Sequence, residues 1–301
     1  WHSLLQKQMD KKGLTSSMVF EAESANYGEG FGNISQLKKL SRGDGNAYTY
    51  ISRQALRYNL INQLGWDSSE SVRKEGAEAV VQFAPNATID RYPEIDLFGY
   101  LKTSKGAEGT SGGSDKRNAV VRLSNAVSLE SFNSETDFLT NMGLASRIGA
   151  NINSIAQSEI HKSFYTYTIT IDLDLIGIDK DISIPNPERA KRVKDFLGAV
   201  EFLYRDIKGR RENLSPVFLV GGVYKRKNPF FENRITLVKN KLDTGKLKEI
   251  ISASPELTQN TKIGYLKGTF SNDSEIILEL KPLSVAEMFG ELKQEVDRYY
   301  A

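Results

Sequence analysis

The order of segments in the sequence predicts an α+β protein, with an antiparallel sheet that carries helices on one face. A strand–helix pair near the N-terminus is the first observation: residues 14–22 alternate apolar and polar side chains, and an amphipathic helix begins at Ser52. A second strand–helix pair begins at residue 165 with "YTYTITIDLDL", the clearest strand pattern in the chain. Further strand patterns and a C-terminal helix complete a ferredoxin-like order, which leaves the other sheet face free for a ligand.

Local signals set the ends of the predicted helices. The first helix has apolar residues at helical spacing from Leu56 to Leu64 and stops at Gly65. The second helix follows Pro187, a residue suited to a first turn. The last helix spans about residues 284–299 and begins at Ser284, where "SVAE" matches a capping box.

The remaining segments define the predicted domain organisation. Further strands are predicted for "PVFLVGGVY", "RITLVKN", "KIGYLKGTF" and "EIILEL", which occupy residues 216–224, 234–240, 262–270 and 275–280. Residues 66–161 have weak periodicity and include the Gly/Ser-rich loop "KTSKGAEGTSGGSDKRN", as in a large insertion. The main unit is therefore predicted at residues 14–65 and 162–301, with 66–161 inserted and 1–13 as an extension.

Composition narrows the class of protein. The 301 residues are 39% hydrophobic and 26% charged, with a net charge of +2, as in an ordinary soluble domain. There is no cysteine, which excludes a disulfide scaffold and thiolate zinc sites and suits a reducing compartment. No apolar run reaches the length of a membrane span and no signal peptide is evident. We expect a cytoplasmic protein without a membrane partner.

Enzyme signatures are poorly represented. The chain has only two histidines, too few for a histidine-based zinc site. Gly28, Gly30 and Gly32 do not complete a dinucleotide fingerprint, and no P-loop is present. Asp172 and Asp174 could form a metal or general-base site, but an exposed strand face explains them better. We therefore predict no catalytic residue, no metal and no cofactor.

The start of the first helix poses an electrostatic problem. Arg53 lies in the first turn, where a cation opposes the helix dipole, and Arg57 repeats the charge one turn later. A bound phosphate would resolve the conflict, since a helix start with free N–H groups, a serine and an arginine can bind an anion. Alternatively, Arg57 pairs with Glu21 or Glu23, and Lys38 and Lys39 form a solvated face.

Amides, hydroxyls, cations and aromatic residues around this helix start form a candidate RNA-binding cluster. Its predicted members are Ser24, Asn26, Asn33, Lys38, Lys39, Arg42, Tyr50, Ser52, Arg53, Gln54 and Arg57. A second basic stretch, "YKRKNPFF", contributes Lys225, Arg226, Lys227, Phe230 and Phe231. Its phenylalanines either insert between bases or grip a neighbouring subunit, or they pack into the core.

Several stretches together resemble a known family. These are "ESANYGEGFGNISQLKKLSRGDGNAYTYISRQALRYNL", "DLFGYLKT", "VVRLSNAVSLESF", "FLTN" and "HKSFYTYTITIDLDLIG". In combination they are similar to the DevR-type backbone subunit of type I-B CRISPR Cascade, a member of the Cas-seven family. The similarity runs from about Thr15 to the C-terminus.

The resemblance implies a hand-shaped, non-enzymatic scaffold with an RRM-like palm. The insertion would supply the fingers, and a thumb-like β-hairpin at about residues 208–234 would centre on Leu219–Phe231. Copies would stack head to tail as a helical filament on the spacer of CRISPR RNA, with other Cascade subunits, and the guide would pair with target DNA in antiviral defence. The palm contacts would come from the end of the first strand and from the loop and helix that follow.

Two alternatives remain open from the sequence. An RNA endonuclease of the same RRM-like superfamily would need a histidine base or a carboxylate cluster, and no position matches such a motif, although Asp44 lies in a suitable loop. A transcriptional regulator would need a helix-turn-helix, and none is convincing. The usual RRM aromatic motifs are missing, so RNA would be held through its backbone.

Overall fold

The computed structural model describes residues 10–28, 30, 32–73, 81–103, 113–149 and 155–301. Its helices are α1 (Arg53–Leu64), α2 (Pro93–Phe98), α3 (Met142–Arg147), α4 (Asn186–Glu201), α5 (Thr244–Ser252), α6 (Pro255–Asn260), α7 (Asp273–Leu280) and α8 (Val285–Tyr300). Its strands are β1 (Gly13–Ala22), β2 (Ile34–Ser35), β3 (Lys39–Ser41), β4 (Ala47–Ile51), β5 (Ser71–Arg73), β6 (Val81–Phe83), β7 (Tyr100–Thr103), β8 (Ser114–Arg117), β9 (Val121–Leu123), β10 (Ala126–Ser128), β11 (Glu135–Thr140), β12 (Ile155–Ile160), β13 (Ser163–Asp172), β14 (Ile178–Asp179), β15 (Ile182–Ser183), β16 (Tyr204–Ile207), β17 (Arg210–Asn213), β18 (Phe218–Tyr224), β19 (Leu237–Val238), β20 (Lys241–Leu242) and β21 (Lys262–Tyr265).

The main sheet is antiparallel and is organised around β1. Met18 on β1 lies opposite Tyr167 on β13 and opposite Leu219 on β18. The strand order is β21-β18-β1-β13-β10-β4-β3, and β9 also pairs with β13. The predicted α+β class with an antiparallel sheet is confirmed.

One face of this sheet packs against α1, α4 and α8. Alternate residues of β1, among them Leu14, Met18 and Phe20, are fully buried there with the apolar stripes of these helices. The alternation in the sequence marks which residues face these helices, but β1 is buried on both faces, since Thr15, Ser17 and Val19 on its other side are buried as well. The predicted capping box of Ser284 and Glu287 is present. Ser284 is the N-cap, and α8 begins at the next residue, Val285.

The opposite face is only partly free. On this face, Val19 of β1 and Phe218 and Val220 of β18 form a second core with residues from the segment 231–276. The expectation of a free second face is wrong in this half, because the chain after β18 folds back over it. Towards β10, the face carries the half-buried threonines Thr166 and Thr170.

Three segments differ from the sequence-based expectation. "EIILEL", predicted as a strand, lies in α7, where Asp273 and Glu275 suit the first turn and Ile276 is buried. "RITLVKN" contributes only β19 to a short hairpin. Residues 121–128, predicted inside the insertion, supply β9 and β10 to the main sheet. Pairing with the distant strands β4 and β13 determines the place of β9 and β10, and a local pattern does not report such pairing.

No helix in the described part of the chain is both long enough and apolar enough to cross a membrane.

Gly221 allows β18 to lie close against β1. A Cβ atom at Gly221 would lie 2.2 Å from the carbonyl oxygen of Thr15 and 2.6 Å from the Cα of Ser16. Gly221→Ala should therefore lower the free energy of unfolding by about 1–3 kcal/mol, since crowding in a packed core is destabilising. Denaturant unfolding tests this, with Gly290→Ala as the matched control. Gly290 lies within α8 with no atom near the added methyl, so its replacement should stabilise the protein slightly. Equal stability of the two variants would contradict the packing described here.

Candidate nucleic-acid interface

The start of α1 is held by side chains from distant segments. The Ser52 Oγ accepts a hydrogen bond from the Ala55 N–H at 3.3 Å, as an N-cap residue does. The N–H of Arg53 donates to Asn125 Oδ1 at 2.9 Å, and the N–H of Ser52 donates to Asn26 Oδ1 at 3.2 Å. The predicted anion site is thus largely used by the protein, and within the described residues only the Gln54 N–H of this first turn lacks an acceptor.

The two arginines of α1 have different surroundings. Arg57 donates to Glu94 Oε1 at 3.1 Å and lies over the Phe98 ring at 4.8 Å. Its partner is therefore a protein carboxylate, although neither of the two that the sequence suggested. Arg53 is exposed and makes no ion pair with any residue that the structure describes. Arg57 therefore supports a bound phosphate less strongly than the sequence suggested, and Arg53 is the arginine of α1 that has no carboxylate partner among the described residues.

An open groove of about 360 Å³ begins at these arginines. It is lined by Arg53, Gln54, Arg57, Phe98, Ala119, Val121, Arg122 and Leu123. A second groove of about 530 Å³ shares Arg57, Phe98 and Ala119 with the first and continues between the β5–β6 and β7–β8 hairpins. We call the two together the α1 groove.

Arg122 is a groove residue that sequence reasoning missed. It lies on β9, is half exposed and pairs with Asp172 at 2.9 Å. Its only sequence signal is a single arginine between apolar residues in "VVRLSN", a pattern shared by many exposed strands. Asn125, which binds the α1 start, was missed for the same reason.

The loop from β1 to β4 places the other predicted cations beside protein groups. Lys39 donates to Glu159 Oε2 at 2.6 Å and lies over the Phe132 ring at 4.5 Å. The Arg42 guanidinium lies over the Tyr48 ring at 4.1 Å. These cations are partly neutralised or shielded, and each would have to leave or share a partner to bind a phosphate.

Three further predicted residues, Asn33, Lys38 and Tyr50, lie on the loop and on β4. The Tyr50 N–H donates to the Lys38 carbonyl at 3.0 Å, so these half-buried residues are neighbours. The Lys38 ammonium has no ion-pair partner among the described residues. Asn33 is exposed, and its carbonyl accepts from the Gln157 N–H at 3.0 Å. Lys38 is the loop cation with the fewest protein contacts.

Ser24 and Asn26 have structural contacts where they lie. Ser24 is buried, and its Oγ accepts from Arg210 at 3.1 Å. Asn26 holds the α1 start through its Oδ1. The polar atoms of these two side chains are thus used in contacts within the protein.

The second basic stretch does not form an exposed probe. Phe231 is 2% exposed and belongs to the second core, and Phe230 packs edge-on against Tyr224 at 5.0 Å between ring centroids. Lys227 is paired with Asp172 at 3.6 Å and with Asp174. The core alternative is therefore correct for the phenylalanines, while Lys225 and Arg226 remain exposed.

The predicted thumb segment, residues 208–234, is not one hairpin. Residues 218–224 are a central strand of the main sheet, because their apolar side chains and paired glycines fit between β1 and β21. The two-stranded hairpin in this region is β16–β17 instead, and it packs beside the loop that follows β1.

A protruding arm is formed by β11, α3 and β12. The β12 root is buried at Ser158 and Glu159, whereas all of β11 is exposed. The arm exposes large apolar side chains, namely Phe138, Leu139, Met142, Leu144, Ile148 and Ile155. The sequence did not predict this arm, because an exposed segment has no buried face and therefore no regular spacing of apolar residues.

Possible catalytic groups are engaged in structural contacts. The pKa of Asp44 is held below its ordinary value because the Tyr48 hydroxyl donates to it at 2.5 Å. Burial lowers the pKa of His161, whose Nδ1 lies 2.7 Å from Thr49 Oγ1. In the part of the chain that the structure describes, no three metal-ligating side chains are grouped closely enough to hold a metal ion.

Solved structures place this fold among those of CRISPR-associated chains. One matching chain is from a "CRISPR RNA-guided surveillance complex, pre-nicking" and is 11% identical, with a TM-score of 0.58 over 92% of this chain and 99% of that chain. Another is from a "CRISPR RNA-guided surveillance complex" and is 14% identical, with a TM-score of 0.54 over 95% of this chain and 99% of that one. At these identities the likeness concerns the fold.

The sequence identifies the family. Residues 14–246 match the profile described as "CRISPR-associated negative auto-regulator DevR/Csa2", and the chain belongs to this family. Comparison with curated protein sequences gave no significant match. The resemblance to the DevR-type family read from the sequence is confirmed.

Proposed function

We propose that the chain is an RNA-binding scaffold whose copies coat the spacer of CRISPR RNA as the backbone of a Cascade surveillance complex of type I-B. The observation that carries the proposal is the α1 groove. In a chain of the DevR/Csa2 family, this groove opens at Arg53, a cation in a helix first turn with no protein carboxylate among the described residues. Membership of the family supports CRISPR RNA as the polyanion.

The groove suits a sugar-phosphate strand. The Arg53 guanidinium and the Gln54 N–H can bind one phosphate at the helix start. Arg122, on the opposite wall, is half exposed although paired, so it can share a second phosphate. The Phe98 ring lies beneath the Arg57 guanidinium and forms part of the apolar floor of the groove. Phosphate contacts of this kind carry little sequence information, as a subunit that accepts any spacer requires.

The sheet supports an RRM-like palm within this proposal. β1, β10, β13 and β18 lie in the order β18-β1-β13-β10, with α1 following β1 and α4 following β13. That is the order of a ferredoxin-like unit. The hairpins β5–β6 and β7–β8, which border the α1 groove, would then be the fingers.

The arm formed by β11, α3 and β12 is the best candidate for the thumb. Its root pairs with the loop after β1, since β12 lies beside β2, and the Tyr27 hydroxyl donates to the Glu159 carbonyl at 3.0 Å. An exposed apolar arm rooted next to an RNA-binding loop can reach a neighbouring copy on the same strand. Such a contact is head to tail and produces an open filament.

Removing apolar side chains from the arm should prevent assembly without abolishing RNA binding. We expect the variant Phe138→Ser/Leu139→Ser/Met142→Ser to bind an RNA that fits one copy with wild-type affinity, but to form smaller complexes on spacer-length RNA. Mass photometry measures the size of these complexes. Val238→Ser/Leu278→Ser removes exposed apolar side chains elsewhere and is the matched control. Full-size complexes with the arm variant would contradict the assignment.

The proposed function predicts that the chain binds RNA and leaves it intact. The purified chain should co-elute with RNA, and labelled repeat and spacer RNAs incubated with it should stay uncut with or without Mg²⁺. Binding should weaken steeply with salt. Failure to bind single-stranded RNA would overturn the proposal, and specific cleavage abolished by a carboxylate substitution would favour the endonuclease alternative. Other Cascade subunits, and target DNA paired to the guide, are the further partners that we propose.

A further inference from the structure

A buried ion pair lies in the β16–β17 hairpin, away from the α1 groove. The side chains of Arg205 and Glu212 are 4% and 5% exposed, and Arg205 Nη2 lies 2.7 Å from Glu212 Oε2. A second contact joins Arg205 Nε to the same oxygen at 2.9 Å. The two side chains therefore form a doubly hydrogen-bonded pair with little access to solvent.

The remaining polar atoms of this pair bind the backbone where β1 runs into the loop. Glu212 Oε1 accepts from the N–H groups of Glu23 at 2.8 Å and Ser24 at 3.2 Å, and also from Arg210 Nη2 at 3.0 Å. Arg205 Nη1 donates to the Ala25 carbonyl at 2.5 Å, and Nη2 donates to the Ser24 carbonyl. Both sides of the chain at residues 23–25 are thus held by one pair of side chains.

The contact continues to the α1 groove through the next residue. Asn26 directly follows residues 23–25, and its Oδ1 accepts a hydrogen bond from the Ser52 N–H at 3.2 Å. Ser52 is the N-cap of α1, and Arg53 is the first residue of the helix after it. The position of the α1 start relative to β1 therefore depends on the backbone of residues 23–26.

Stability alone does not account for a pair of this kind. Removing two charges from water costs free energy, and apolar residues of similar volume are often as stabilising as a buried ion pair. Apolar residues could not bind the N–H and carbonyl groups of residues 23–25. What the pair adds is a defined backbone conformation at the origin of the loop.

We propose that Arg205 and Glu212 are positioning residues for RNA binding: they hold the backbone of residues 23–25, and through Asn26 the start of α1, in the geometry that binds the strand, without touching RNA themselves. This inference rests on the proposed function and adds to it a requirement for an ordered loop origin.

The test replaces both side chains with apolar residues of similar volume. Arg205→Met/Glu212→Leu leaves the net charge unchanged and leaves no buried charge without its partner. The half-exposed Arg210, which lies 3.0 Å from Glu212 Oε1, keeps Glu23 at 3.8 Å. We expect cooperative unfolding to be retained and hydrogen-exchange protection of the Glu23 and Ser24 amides to disappear. Affinity for single-stranded RNA should fall about tenfold, the loss expected when one hydrogen bond to a charged group is misplaced. The slope of log affinity against log salt should stay at the wild-type value, because the same cations still meet phosphates.

A matched control is present on the same hairpin. Arg211 and Asp206 form an exposed pair at 2.8 Å, and neither contacts residues 23–26. Arg211→Met/Asp206→Leu should leave amide protection unchanged and RNA affinity close to the wild-type value. An equal loss of affinity in this control would overturn the proposal, since it would show that the whole hairpin surface binds RNA.

Two further outcomes would contradict the positioning role of Arg205 and Glu212. Absence of amide protection with unchanged RNA affinity would show that loop order is not needed for binding, and a smaller salt slope would show that the pair meets phosphate directly. If the double variant does not fold, Glu212→Gln provides the same comparison. Its single amide oxygen can face Arg205 or the N–H groups of Glu23 and Ser24, but not both, and with the oxygen on the Arg205 guanidinium the two N–H groups lose their acceptor. Protection and affinity should then fall together. Amide exchange is measured without RNA. If the wild-type chain fails to bind RNA, the proposed function is refuted, and the exchange data still show whether Arg205 and Glu212 order the loop.

Discussion

Replacing Arg53 and Arg57 together with alanine should weaken binding of single-stranded RNA by about tenfold to a hundredfold, since a hydrogen bond to a charged group contributes about 1.5–3 kcal/mol. Most of this weakening should come from Arg53, because Arg57 already pairs with Glu94. The slope of log affinity against log salt should also become less steep, by about 0.7 for each phosphate that the variant no longer neutralises. Fluorescence anisotropy across a salt series measures both quantities.

A matched control removes two cations at a distance from the groove. Lys191 on α4 and Arg298 on α8 are exposed and pair with carboxylates of their own helices. Lys191→Ala/Arg298→Ala should change RNA affinity little. If both double variants bind RNA equally well, the phosphate site at α1 is assigned incorrectly. Separate single variants then show whether Arg53 or Arg57 carries the effect.

The second large effect concerns stability and centres on Asp96. Its carboxylate is 0% exposed and accepts from Arg117 Nη2 at 2.7 Å, Arg192 Nη1 at 2.9 Å and the Gly177 N–H at 2.9 Å. Asp96→Ala leaves two buried guanidinium groups without this partner, which should cost about 3–5 kcal/mol of unfolding free energy. Because Asp96 joins α2, β8 and α4, the groove wall beside Phe98 should loosen as well.

Denaturant unfolding measures the Asp96 effect directly. Asp206→Ala is the control: it removes the carboxylate of the exposed pair with Arg211 and should cost no more than about 1 kcal/mol. A small effect of Asp96→Ala, similar to that of the control, would show that the two arginines find other acceptors.

Local patterns made much of the fold predictable. The alternation in β1 and β13, the Ser52 and Ser284 caps and the Gly65 stop each depend on neighbours within a few residues. These elements were predicted to within two residues or so, except that the pattern begun in β13 ends in a 3-10 turn at Leu173–Leu175. Elements defined by distant pairing were missed, as β9 and β10 illustrate, because three-residue strands have no measurable period.

The candidate site was predictable to the extent that it conflicts with local rules. Arg53 pointed to a bound anion because a cation in the first turn opposes the helix dipole. The partners of the site could not be found in this way, since Glu94 is separated from Arg57 by 37 residues and Glu212 from Ser24 by 188. An exposed probe at residues 225–231 was considered because the sequence does not show which residues cover the adjacent phenylalanines of "NPFF".

The central claim is that the α1 groove holds the RNA strand, and cross-linking tests it most directly. RNA containing a photoreactive uridine should be bound to the full chain, irradiated and digested, and the modified peptides identified by mass spectrometry. We expect adducts on peptides that line the groove, from residues 48–57, 98–101 and 119–125. Adducts confined to residues 225–234 or to α8, with none in the groove, would contradict the account.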